Sequence, residues 1–301
     1  ALYDSSMHWF GFGFNGFGQI SPADVSGQIV KCEVNTPVLL SEMCRACVIR
    51  SDCRVRGSWS SRADVHHSDC GYVTPKPPFF RPLRSDLCAV SLALGSEHAV
   101  LLTSDGTVYS WGSGSHGQLG HGALTSQEEP QVLEALWGVP IRAVSAGNWH
   151  SASISTGGDL YMWGWNESGQ LGLPSRGLEE GKLRGKRNTE QPINEDEKKQ
   201  ADVFISIQAF PALVDVPDVL EISRISCGSR HTAAVSGTGD LYTWGWGHYG
   251  QLGHGTENST DEPTLVDYFA SHRMCVKDVV CGLWNTFVSA VPKEQPPSRQ
   301  E

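Results

Sequence analysis

The residues best placed to do chemistry in this chain of 301 are cysteines, glycines and histidines at recurring spacings. Cys44-x-x-Cys47 has the spacing of a zinc half-site, and Cys53, His66, His67 and Cys70 follow closely enough to supply a second pair. The alternative is a set of incidental thiols in an irregular stretch. The nine cysteines follow no disulfide framework, so reduced thiols and no metal are expected. Gly11-x-Gly13-x-x-Gly16 has the form of a dinucleotide loop. The same form recurs at Gly112, Gly114 and Gly117, at Gly245, Gly247 and Gly250, and at Gly164, Asn166 and Gly169 with Asn in the middle place. No helical pattern or acidic residue follows as a nucleotide-binding unit requires. All four read as structural turns that need positive φ, which Asn tolerates best after Gly. His98, His150 and His231 occupy one place in successive repeats. They are expected to hydrogen-bond backbone within their own repeats rather than to bind metal. With no nucleophile elbow, phosphate loop or metalloprotease helix, no catalytic residue and no cofactor is assigned.

The elements that must position these residues are short strands. His98–Thr103 is apolar, Ser104-Asp105-Gly106 signals a turn, and Thr107–Trp111 resumes with β-branched and aromatic residues. Asp159 and Asp240 fall in the corresponding turns and need no catalytic role. Gly95, Gly147, Gly228 and Gly282 mark successive repeats, 52, 81 and 54 residues apart. A repeat of about 50 residues suits a four-stranded blade. The long interval holds an insertion, assigned to residues 175–202 and placed between blades. It is rich in charge and nearly free of large apolar side chains, as a flexible loop is. Half of a further repeat stands near Cys281–Val288 and its complement at Trp9–Gln19, so the two ends of the chain are expected to share a blade. The whole chain therefore reads as one all-β domain, a β-propeller of about five to six blades. Residues 21–89 fit the repeat poorly, and 293–301 read as a disordered tail.

Net charge is −10, which argues against direct DNA binding by a general positive field. No apolar run approaches the ~18 residues of a membrane span, and residues 1–8 show no signal-peptide pattern. Two segments suit partner contact. Lys182, Arg184, Lys186 and Arg187 form a basic cluster inside the insertion, next to the acidic Glu195-Asp196-Glu197. Phe79, Phe80 and Arg81 lie in a Pro-rich stretch suited to a partner's groove or to strapping the propeller edge. Trp149, Trp165, Trp246, Tyr249 and Trp284 recur near the blade turns, as core or as exposed anchors.

Cys227-Gly-Ser-Arg-His231-Thr232 and Trp244-Gly-Trp-Gly-His-Tyr-Gly-Gln-Leu-Gly253 resemble the repeat of the regulator-of-chromosome-condensation family. That resemblance implies a propeller that binds partners. Within the family, the 163–171 run and the Pro-rich segment resemble a small chromatin-associated member. This implies a non-enzymatic adaptor for a JmjC-domain dioxygenase in the nucleus, on chromosomes, with the cytoplasm as the alternative compartment, histones as further partners, and roles in histone methylation and chromosome segregation. The founding member's activity implies an alternative, guanine-nucleotide exchange on a small GTPase. No segment matches its projecting β-wedge.

Overall fold

The computed structural model describes residues 8–13, 28–32, 71–73, 80–82, 87–178 and 204–293. The chain opens with strands β1 (His8–Gly13), β2 (Val30–Cys32), β3 (Gly71–Val73) and β4 (Phe80–Pro82). Blade I follows as β5 (Ala89–Leu94), β6 (His98–Thr103), β7 (Val108–Gly112) and β8 (Gln127–Val132). Blade II is β9 (Ile141–Ala146), β10 (His150–Ser155), β11 (Leu160–Trp165) and β12 (Ile207–Val214). Blade III is β13 (Ile222–Cys227), β14 (His231–Ser236), β15 (Leu241–Gly245) and β16 (Thr260–Leu265). A short helix α1 (Asp267–Ser271) leads to β17 (Met274–Cys281) and β18 (Asn285–Pro292). These two pair with the N-terminus in the order β17-β18-β1-β2 to make blade IV. In that blade Phe10 lies opposite Val288, and Gly13 opposite Asn285. Among the described residues there are thus four four-stranded antiparallel sheets and the two-stranded β3–β4.

The second strand of each blade shows why the sheets stack. β6, β10 and β14 are buried at every position, so each has a neighbour on both faces. A strand covered on both sides has no face for charge, and beyond the leading histidine β10 and β14 carry only small and β-branched residues that let blades approach, while β6 adds Leu101 and Leu102. The core therefore lies between sheets. Ile154, Leu160 and Met162 of blade II meet Cys227, Ala234 and Trp244 of blade III. Phe10 and Phe12 of β1 enter the core shared by blades III and IV, where Phe10 packs edge-on to Phe269 of α1 at 5.4 Å.

The structure corrects the placement of the insertion. It lies inside blade II, between β11 and β12, because Leu160 pairs with Val214 and Trp165 with Ile207 across it. Its start also moves. Ser175 is buried, its N–H donating to Asp261 Oδ2 and its hydroxyl to the Glu167 carbonyl, so 175–178 stay with the blade. At the other end Lys293 is held by the Arg273 carbonyl and by Asp240, and does not belong to the tail. Phe80 and Arg81 lie in β4. Gly16, Phe79, Lys182, Arg184, Lys186 and Arg187 lie outside the described residues, as do Cys44, Cys47, Cys53, His66, His67 and Cys70.

Blade junctions and a candidate protein-binding face

The repeated histidines are not tied within their own blades, as the sequence reading had them. Each reaches a hydroxyl on the next blade. His98 Nε2 lies 2.8 Å from Ser151 Oγ, His150 Nε2 3.0 Å from Thr232 Oγ1, and His231 Nε2 3.0 Å from Thr286 Oγ1. Those hydroxyls donate in turn to the carbonyls of Gln118, Gln170 and Gln251, at 2.9, 2.7 and 2.8 Å. A hydroxyl has one proton, so each must accept from its histidine, which fixes the Nε2–H tautomer. Two of the same carbonyls also receive an indole N–H, Trp163 Nε1 on Gln118 and Trp244 Nε1 on Gln170. Burial pushes the histidines down from 6.5, to about 3 for His98 and His150 and about 4 for His231. They are neutral fasteners between blades.

The glycine turns also need one correction. Gly112, Gly164 and Gly245 have φ of 108°, 112° and 104°, and each lies opposite the junction histidine of its own blade. Their counterpart in blade IV is Gly13, with φ 113° and opposite Asn285; Gly11 lies two residues earlier, opposite Phe287. The shared Gly-x-Gly-x-x-Gly string is therefore out of register by two residues at the N-terminus. Gly117, Gly169 and Gly250 also have positive φ, but Gly114, Asn166 and Gly247 do not. The middle place is set by closeness: a Cβ on Gly114 or Gly247 would run into the Thr125 or Asn258 carbonyl. Asn166 instead uses its side chain. Its amide donates to the Leu173 and Ile205 carbonyls and accepts from the Leu171 N–H.

Two positions beside these fasteners point outward on the same face of the propeller. One is the residue before each junction histidine or its counterpart: Glu97, Trp149, Arg230 and Trp284. The other follows the positive-φ glycine: Ser113, Trp165 and Trp246. Backbone bonds join them in pairs, Ser113 N–H to the Glu97 carbonyl, Trp165 to Trp149 and Trp246 to Arg230. Aromatic rings consequently gather at two places. Trp149 and Trp165 meet edge to face at 5.3 Å, with His116 5.9 and 5.7 Å from them. Trp246, Tyr249 and Trp284 form a second group with centroids 4.9, 5.0 and 6.0 Å apart. Between the groups the Arg230 guanidinium lies over the Trp165 ring at 4.7 Å. The four indoles are half-buried, while Tyr249 and Leu283 are 40% and 43% exposed. Rigid aromatic rings with partly wet faces are what protein-binding surfaces use as anchors.

The description "Regulator of chromosome condensation (RCC1) repeat" matches residues 105–154, 157–235 and 238–289. The chain belongs to the regulator of chromosome condensation repeat family. Each matched unit starts in the hairpin turn before a third strand and ends in the second strand of the next blade, so the family's sequence unit straddles the junction fastened by His, Ser/Thr and Gln. The chain is 52% identical over 233 residues to human "RCC1 domain-containing protein 1", covering 74% of this chain and 61% of that one. It thus spans somewhat less than two thirds of that relative. Among solved family structures, Prp20p from Saccharomyces cerevisiae, described with its binding to Gsp1p and histones, is 27% identical with a TM-score of 0.54 over 69% of this chain and 45% of that one. The same yeast protein bound to Kap60 gives 26% and 0.56 over 72% and 45%. Among the described residues no cluster of His, Cys, Asp or Glu is arranged to hold a metal ion.

Proposed function

We propose that this chain is a non-enzymatic adaptor that carries a protein partner on the face bearing the two aromatic groups. The partner that the family resemblance favours is a JmjC-domain dioxygenase, with chromatin as the setting and histone methylation and chromosome segregation as the processes served. One observation carries the reading. Residues at the blade junctions are nearly the same in every repeat, whereas the adjoining outward positions hold Glu, Trp, Arg and Trp in turn. A scaffold kept uniform under a varied, aromatic surface is the form of a rigid recognition module.

The test is capture from nuclear extract with the intact chain, with a chain lacking 179–203, and with a Trp149→Ala/Trp165→Ala variant. Recovery of a JmjC-domain protein by the intact chain and its loss with the double variant are expected. Loss only on deleting 179–203 would move the contact to the insertion. A second reading, nucleotide exchange on a small GTPase, draws on the likeness to Prp20p with its Gsp1p binding. Faster release of labelled GDP from a captured GTPase would establish it and remove the adaptor reading.

A further inference from the structure

The two aromatic groups differ in one respect. At the junction of blades II and III, the residue before the histidine is Arg230, and its guanidinium covers Trp165. At the junction of blades III and IV, the equivalent pair is Trp246 and Trp284, ring against ring at 5.0 Å and 68°. Tyr249 stands nearly perpendicular to both, at 83° and 86°. The chain thus shows on itself what this kind of indole face accepts, a planar cation, and at the next junction it brings half-buried indoles from two blades together, with the His248 ring 5.1 Å from Trp246. Electrostatics around the site agree. The described loops of this face carry Glu97, Glu167 and Glu257, and Glu262 stands near the loop end of β16. The cations of those loops are Arg176 and Arg230, both already engaged. A ring face attracts a cation through its quadrupole, and a guanidinium stacks better than an ammonium because it is flat and weakly hydrated. The described acidic flanks and a net charge of −10 favour a cationic occupant over a nucleic acid backbone.

We infer that the Trp246–Trp284 corner is an arginine-reading subsite, which takes the guanidinium of an extended basic segment of a partner protein. This rests on the adaptor reading for its choice of face and names the chemistry of the partner segment.

The experiment uses the full chain and a fluorescein-labelled peptide of four Arg-Gly-Gly units, with lysine and citrulline versions. Binding is read by anisotropy and by quenching of tryptophan emission. The arginine peptide should bind several-fold tighter than the lysine one, and citrulline should weaken it about tenfold or more. Trp246→Ala should lose about tenfold, whereas Trp284→Phe, which keeps a ring, should lose about threefold. Trp137→Ala on the opposite face should change nothing. Equal affinity for arginine and lysine, no quenching, or no binding by the native chain would overturn the subsite, and none of these needs a variant to fold. Self-association abolished by Trp246→Ala would give the corner to a second copy and overturn it as well. Capture of the JmjC partner undiminished by Trp246→Ala would leave the adaptor reading standing and remove the subsite. Peptide binding without any such capture would do the reverse.

Discussion

The junction histidines and the residues just before them are neighbours in sequence with opposite behaviour. His98, His150 and His231 are buried, neutral and bonded in the same way. Glu97, Trp149, Arg230 and Trp284 are wholly or partly exposed and differ in kind. The peptide that must cross from one blade to the next has one solution, so its residues repeat. One step away, solvent replaces the neighbouring blade and the restriction ends. Blade IV shows how far the fastener tolerates change. There Phe12 stands where Trp163 and Trp244 stand, and Asn285 where the histidines stand, so the Gln251 carbonyl receives the Thr286 hydroxyl without an indole N–H.

The sharpest way to break this contrast is to truncate both neighbours. His150→Ala leaves a cavity and strips the partner from the Thr232 hydroxyl, and should cost about 3 kcal/mol in urea unfolding. Trp149→Ala should cost about 1 kcal/mol or less, its effect falling on partner binding. Equal costs would erase the distinction between fastener and face.

Acid should act through the fasteners, with His121 and His254, also pushed down by burial, adding to it with the same sign. The folded-state values, about 3 for His98 and His150 and about 4 for His231, lie below the ordinary 6.5. As pH falls below 6.5 the unfolded chain takes up protons that the folded chain refuses. Their contribution is therefore complete above pH 6.5 and is lost progressively down to those folded-state values. The slope should be about 1.4 kcal/mol per pH unit for each histidine. Urea midpoints between pH 7.5 and 4.5 should show it, and His150→Gln should remove one histidine's share of it, about 1.4 kcal/mol per pH unit. A variant with an unchanged slope would mean that His150 is charged in the fold.

The missing indole donor predicts a weaker junction between blades III and IV. Trp244→Phe should imitate it at a cost of about 1 kcal/mol. In hydrogen exchange the amides of β18 and β1 should open before those of β10 and β14. The reverse order would mean that packing around Phe12 outweighs the lost hydrogen bond. The smallest effect concerns thiols. Burial pushes Cys227 and Cys281 up to about 12. At pH 8 iodoacetamide should modify exposed Cys88 while sparing these two until unfolding, as peptide mapping would show.

Spacing and turn chemistry in the sequence were enough to establish the repeat, the strands around His98–Thr103 and their counterparts, and a blade built from both ends of the chain. Those features come from local patterns that recur, and recurrence is visible without coordinates. The partners of the repeated side chains were not visible. The histidines bond across blades over separations of 53, 82 and 55 residues. No local pattern says which sheet lies next to which. The register of Gly13 was hidden for the same reason, since Gly11-x-Gly13-x-x-Gly16 and Gly13-x-Asn15-x-x-Gly18 offer two frames and only pairing with Asn285 chooses between them. The aromatic residues could be counted in the sequence, but not divided between core and face. Stacking of the blades decided that, by burying Trp163 and Trp244 completely and leaving Trp149, Trp165, Trp246 and Trp284 with one side in water.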